Sequence, residues 1–353
     1  TPNSIEAYNR KYEELKEQLK VAKTEAATVL AKGNNASKAE AQAAQEKVDA
    51  AKAELTKAAE LLVNKADKIE LTKAKEALST LLSETDPTTG KTTDSAKAYN
   101  DAKIAATEAI KVAEMVINDE NATQDQVTEA LNKVNEKKAA LEAAKQALVE
   151  AATVEEKAKL KADTALLTKA DETGKTPDSI AAYERKYEEL KTKLEEVKAE
   201  AEKVLAKENN ATKEEVKAAQ AKVETVKTEL ENAKTLLVEA ATAEEKAKLK
   251  ADADSLAKAD VTGKTPESIK EYEAEYEKLK AQLEEAKAEA AAVEVKGDNA
   301  TKAEAQEAQV KVDAVKKALE KAAELLKDLV DKTKLTTEAT TEAEETKGSP
   351  AYY

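Results

Sequence analysis

One unit of sequence is written four times in this chain, and no other feature limits its possible folds so tightly. TPNSIEAYNRKYEEL at residue 1 returns as TTDSAKAYNDAKIAA at 92, TPDSIAAYERKYEEL at 176 and TPESIKEYEAEYEKL at 265, at spacings of 91, 84 and 89 residues. Each such unit is expected to be only marginally stable alone and to gain from its neighbours. Within each copy the apolar residues recur in steps of three and four. In the third copy the first run reads Ile180, Tyr183, Tyr187, Leu190, Leu194, Val197, Ala201, Val204, and the second reads Val216, Ala219, Val223, Val226, Leu230, Ala233, Leu237. The first copy repeats this with Ile5, Tyr8, Tyr12, Leu15, Leu19 and then Ala41, Ala44, Val48, Ala51, Leu55. That is a heptad seam, which predicts two long helices per copy. Most other positions are Glu, Lys, Gln and Ala, which favour helix and pair charges along its surface.

Punctuation agrees with the period. The glycines at 33, 90, 174, 263, 297 and 348 and the prolines at 2, 87, 177, 266 and 350 all fall outside the periodic runs. Between the long runs each copy carries Asn-Ala-Ser/Thr: GNNASKAE, DENATQDQ, ENNATKEE and GDNATKAE. The triplet is formally an N-glycosylation acceptor. Each copy also completes a capping box, with Ser37 before Glu40, Thr123 before Gln126, Thr212 before Glu215 and Thr301 before Glu304. Capping is therefore the preferred reading, and the Asn is assigned to a left-handed position in the turn. Thr176 and Thr265 are expected N-caps with Pro177 and Pro266 at the first helical position. Shorter third runs begin with Asp67 before Glu70, Thr153 before Glu156 and Thr242 before Glu245. The joints ahead of them, such as LLVEAATAEEKAK at 236–248, contain no Gly or Pro and predict a stiff kink or a nearly continuous helix.

The expected fold is all-α: tandem three-helix bundles with left-handed coiled-coil-like packing, stacked end to end into an elongated rod. The expected divisions are a leading helical hairpin at 1–63, three-helix modules at 67–150, 153–240 and 242–330, and a disordered Thr/Glu-rich tail at 331–353. The abrupt start and the absence of a signal peptide read as a piece of a longer protein.

Chemistry is narrowed by what is missing. With no Cys and no His among 353 residues, disulfides, thiolate or imidazole metal ligands and Ser/His/Asp catalysis are excluded. No catalytic residue, cofactor or metal site is expected. The net charge of −14 comes with both signs interspersed and no basic stripe, which argues against nucleic acid and anionic membrane. No apolar run reaches membrane-spanning length. GKT at 90–92, 174–176 and 263–265 resembles the end of a phosphate loop, but it lacks the upstream glycine and the preceding strand. Acidic turns such as ADETGKTPDS lack the EF-hand pattern. Aromatics are 3% of the chain, all Tyr, so cores must be thin. Tyr183, Tyr187, Tyr272 and Tyr276 pair at helical spacing; core filling is the favoured reading, and a repeated ligand contact is the alternative.

The TPDSIAAYERKYEEL start and the LAKENNATKEEVKAAQAKVETVKTEL hairpin resemble FIVAR modules, the helical repeats of large Gram-positive cell-wall surface proteins. The resemblance covers about residues 1–330, and the usual Trp of the first long helix is absent. It implies a cell-surface, wall-anchored, extracellular location, although no Leu-Pro-x-Thr-Gly motif occurs here. It also implies a non-enzymatic stalk, a monomeric rod that projects a binding domain from the wall. The alternative is that the repeats themselves bind a host extracellular-matrix or plasma protein, such as fibronectin, through weak multivalent helix-face contacts.

Overall fold

The chain runs through twelve α-helices among the described residues, which in this computed structural model are 1–347, with side-chain environments through 343. Long helices come in pairs: α1 (Pro2–Ala31) with α2 (Lys38–Ala59), α4 (Thr93–Asn118) with α5 (Gln124–Gln146), α7 (Pro177–Leu205) with α8 (Lys213–Lys234), and α10 (Pro266–Lys296) with α11 (Lys302–Ala323). Short helices α3 (Ile69–Leu82), α6 (Val154–Ala165) and α9 (Ala243–Asp254) precede the last three pairs, and α12 (Thr333–Lys347) follows the fourth. No strand forms among the described residues, only isolated β-bridges. The fold is therefore all-α.

The chain divides into two compact units. One comprises Thr1–Lys159 with Lys203–Ala218. Here α1 packs on α2, and α3 lies against both α4 and α5. Its main core is Leu71, Leu78, Tyr99, Ala106, Ile110, Ala113, Val127, Ala130, Val134 and Leu141. The other comprises Leu160–Glu202 and the chain from Ala219 onward. Here α9 lies against α10 and α11 around Leu249, Leu256, Leu283, Ala286, Val312 and Val315. Leu71 and Leu78 on α3, Leu160 on α6 with Leu167 just past its end, and Leu249 on α9 with Leu256 just past its end are all at most 2% exposed. On α3 the seven residues are two helical turns, so Leu71 and Leu78 share the face that packs on α4 and α5. On α1, Tyr8 is only half-buried, whereas its counterparts Tyr99, Tyr183 and Tyr272 are buried.

Three local features depart from expectation. The joints are neither kinked nor continuous helix; residues such as Ala151 and Ala240 sit in short extended segments held by β-bridges. The left-handed residue of the long-helix turn is not the Asn. It is Gly33 (φ 55°), Glu208 (φ 52°) or Gly297 (φ 56°), two residues before it. Finally, the tail expected to be disordered begins with α12, whose described side chains are exposed. There Thr337, Thr340 and Thr341 return their hydroxyls to the carbonyls of Thr333, Thr336 and Thr337, which satisfies side-chain donors within the helix itself. Residues 348–353 of that expected tail lie outside the described residues.

Candidate functional site

The groups that recur most faithfully between copies gather where one repeat meets the next. They start from the Thr-x-x-Ser that opens each first long helix. Thr1, Thr92, Thr176 and Thr265 each accept the backbone N–H three residues on, from Ser4, Ser95, Ser179 and Ser268. The serine hydroxyl then returns to the threonine carbonyl in all four copies. Its oxygen also accepts a backbone N–H from the segment leaving the second long helix: Val63, Val149, Val238 or Lys327, at 3.0–3.2 Å. The capping threonine N–H donates to the carbonyl of that same residue. One serine, buried in three copies and half-buried at Ser95, thus joins the start of a helix pair to the chain that leaves it. This role escaped sequence reasoning, although a Ser fixed at the fourth position of every copy was the available signal.

The leaving segment pairs on both of its edges. Ala151 donates to the Gly90 carbonyl at 2.9 Å, and Ala152 donates to Ala211 of the next Asn-Ala-Thr turn at 2.9 Å. Lys213 of that turn donates back to Glu150. The arrangement returns at Ala240 with Gly174, Ala241 with Ala300, and Lys302 with Glu239. Gly90, Gly174 and Gly263 supply the turns on the inner edge at φ 72–73°, a backbone region that L side chains rarely adopt.

The Asn of the triplet closes the junction from the far side. Asn121 Oδ1 accepts the N–H of Asn3 at 2.7 Å, Asn210 accepts that of Asp94 at 2.7 Å, and Asn299 accepts that of Asp178 at 2.8 Å. The donors are the second residues of α1, α4 and α7, whose amides have no intrahelical partner. Each Asn thus caps the first long helix of the preceding repeat, about 120 residues back in sequence.

The hydroxyls beside these Asn residues cap locally. Thr123 with Gln126, Thr212 with Glu215, and Thr301 with Glu304 exchange both bonds of the capping box. Ser37 accepts from Glu40, whose carboxylate turns to Lys32 instead of closing the box. On the short helices, Thr153 with Glu156 and Thr242 with Glu245 form full boxes. Asp67 does not: its carboxylate accepts from Ile69 two residues on, and the Gln124 side chain takes its N–H. An Asp side chain is short enough to favour that closer turn.

The box carboxylates also reach neighbouring helices. Lys213 Nζ lies 2.9 Å from Glu156, and Lys302 Nζ 2.6 Å from Glu245. The Lys213 bond, followed by the Thr153 N–H, pulls Glu156 down to about 2. Lys302 lowers Glu245, Lys207 lowers Glu215 and Lys296 lowers Glu304 in the same way.

Of the tyrosines considered as ligand contacts, Tyr183 and Tyr272 are 0% exposed. Their hydroxyls accept the N–H of Ala170 and Ala259 at 2.7 and 2.6 Å, fastening the loop after each short helix over the bundle. They are core side chains and offer a ligand no surface. Tyr187 and Tyr276 pack beside them at ring-centroid distances of 6.1 and 6.2 Å, each under a lysine, Lys169 or Lys258. Among the described residues no group of three or more acidic side chains is placed to hold a metal ion, and no helix is long and apolar enough to cross a membrane.

The FIVAR domain model matches residues 1–56, 74–142, 162–231 and 253–320. Over 192 residues, 54% of the chain, it is 32% identical to the extracellular matrix-binding protein ebh of Staphylococcus aureus strain MW2, covering 2% of that protein. Over the same length it is 31% identical to EbhB of strain Newman, covering 3%, and 30% identical to EbhB of strain N315, covering 5%. The chain therefore spans only a few per cent of the relatives it matches. No solved structure matches it.

Proposed function

The chain belongs to the FIVAR family, and on that premise we propose that it is a non-enzymatic stalk segment of a bacterial cell-surface adhesin, modules at 67–150, 153–240 and 242–330 giving length. In this reading the repeats hold a binding domain away from the cell wall, and stiffness is the property selected. The observation that supports it is the doubled pairing at Glu150–Ala152 and Glu239–Ala241, where the connecting chain is bonded to the repeat behind and the repeat ahead. A tether meant to flex would leave those amides to water. Small-angle scattering on the whole chain tests the proposal. A stalk gives the profile of a single stiff particle of high aspect ratio. A compact particle, or a freely jointed one, overturns it.

A second reading draws on the relatives, which carry the name extracellular matrix-binding protein. The repeats would then themselves engage a host matrix or plasma protein, repeated faces adding weak contacts. Titration onto immobilised matrix and plasma proteins separates the two readings, because a stalk gives a flat response across the panel.

A further inference from the structure

The second repeat differs from its sisters along the groove between its long helices. Elsewhere lysine–glutamate pairs bridge that groove: Lys47 with Glu25 at 2.5 Å, Lys193 with Glu229 at 2.7 Å, Lys222 with Glu200 at 2.8 Å, and Lys311 with Glu289. Among the described residues no ion pair joins α4 to α5. Lys133 is the counterpart of Lys47, Lys222 and Lys311, ten residues after the capping hydroxyl in each copy. The acid that Lys222 and Lys311 meet, Glu200 or Glu289 on the groove wall, is replaced on that wall in the second repeat by Val112, eleven rather than twelve residues before the hydroxyl. The groove therefore stays open, with a volume of about 710 Å³ against about 360 and 180 Å³ in the third and fourth repeats.

Its floor is apolar. Ala105, Ala109, Val112 and Met115 form one stripe along α4, with Val112 42% and Met115 71% exposed. Met115 is the chain's single methionine. The lips carry a gradient of charge. Near the turn stand Asp119 and Glu129; away from it, on α5, stand Lys133 and Lys137, with Glu108 on the α4 lip. From Ala105 to Asp119 the groove runs roughly 21 Å, about four turns of helix.

We propose that this groove of the second repeat is a docking site for one amphipathic α-helix of a partner protein, laid parallel to α4. The charge sequence decides the occupant and its direction. Acidic side chains in the partner's first turns meet Lys133 and Lys137, and basic ones in its last turn meet Asp119 and Glu129. That order suits a helix, whose dipole favours acids at the N-terminus and bases at the C-terminus. Leu or Ile at i, i+3, i+4 and i+7 fill the floor, and Met115 adapts to their shape. Glu108 confines the partner's acids to the edge facing α5. The site is independent of the stalk reading, since a rod can carry one docking face among plain repeats.

Two lactam-bridged peptides of about 14 residues, matched to the groove length, test this against the whole chain by fluorescence anisotropy. Both carry the leucine stripe; one has Glu in its first turns and Lys in its last, and the other has them exchanged. The first should bind at least tenfold more tightly. Val112→Glu with Met115→Glu should abolish its binding while the circular dichroism melt stays put, because both side chains are exposed. Lys133→Glu with Lys137→Glu should erase the preference between the peptides, because both ends of the groove are then acidic. Equal affinity for the two peptides, or binding that survives Val112→Glu with Met115→Glu, overturns the proposal.

Discussion

Replacing Ser179 by Ala tests the serine clasp at its most informative copy. The hydroxyl donates to the Thr176 carbonyl at 2.9 Å and accepts the Val238 N–H at 3.1 Å. In the variant the Val238 carbonyl keeps the Thr176 N–H at 2.9 Å, and the Ser179 backbone still donates to Thr176 Oγ1. The one group left without a partner is the Val238 N–H. An orphaned buried donor costs about 1–3 kcal/mol. Val238 is 41% exposed, so water reaches its surroundings and the lower half of that range applies, about 1–2 kcal/mol. Alanine's better helix propensity offsets only a few tenths of that. Unfolding of a repeat array is not all-or-none, so a global melt would dilute the effect. Amide hydrogen exchange read at Val238 is the sharper assay, with protection expected to fall roughly 5- to 30-fold. Asn210→Ala is the contrast, because its donor, the Asp94 N–H, is at an exposed site and water can replace the lost acceptor. Unchanged protection at Val238 in Ser179→Ala, or an equal loss at Asp94 in Asn210→Ala, would refute the reasoning.

Three further outcomes follow from burial, backbone and charge. Leu249→Ala removes a side chain that is 2% exposed and should cost about 2–5 kcal/mol in urea unfolding of its repeat, whereas Leu335→Ala, 64% exposed on α12, should cost under about 0.5 kcal/mol. Glu208→Gly relieves a left-handed residue where the first and fourth repeats have Gly33 and Gly297, and should raise stability by about 1 kcal/mol in the same assay. Lys213→Met should destabilise at neutral pH because it removes the main cause of the lowered Glu156. A folded pKa below the unfolded one stabilises above the unfolded value and loses that effect as pH falls. The gap in melting temperature between wild type and Lys213→Met should therefore hold above about pH 4.5 and close towards pH 2, and a gap that widens on acidification would contradict the assignment.

What could be read from the sequence divides by distance along the chain. Helices, turns and capping boxes depend on groups three or four residues apart, so Thr123 with Gln126 and Thr301 with Glu304 were visible as patterns. The pairing of Ala151 with Gly90 was not, because a three-residue extended segment carries no alternation to recognise. Asn210 was read as a turn former since its partner, Asp94, lies 116 residues away. Tyr183 was legible as core, yet its bond from Ala170 depends on a loop without periodicity. Asp67 shows the limit of local pattern: the Asp-x-x-Glu spacing is present, but the shorter Asx bond to Ile69 wins.

Those non-local bonds fall where the helical seams are least decisive. Ala, Val and Leu alternate along every long helix, so sliding one helix by a heptad, or pairing it with the wrong copy, exchanges similar side chains at little cost. Burial alone would therefore leave several registers close in free energy. The clasp separates them, since any slip that moves Ser179 from Val238, or Ser268 from Lys327, orphans amides that the seam cannot satisfy. Buried polar groups select one register in some systems, and the clasp's recurrence at each joint makes that role an expectation to test here. The consequence is testable in Ser95→Ala with Ser179→Ala and Ser268→Ala. Helix content should persist and melting should shift by only a few degrees, because the leucine cores are untouched. Uniqueness should fail instead: amide NMR resonances of the joint residues should split into several slowly exchanging sets. A triple variant with single sharp resonances and a large loss of stability would mean that the serines hold the bundles together and have no part in choosing the register.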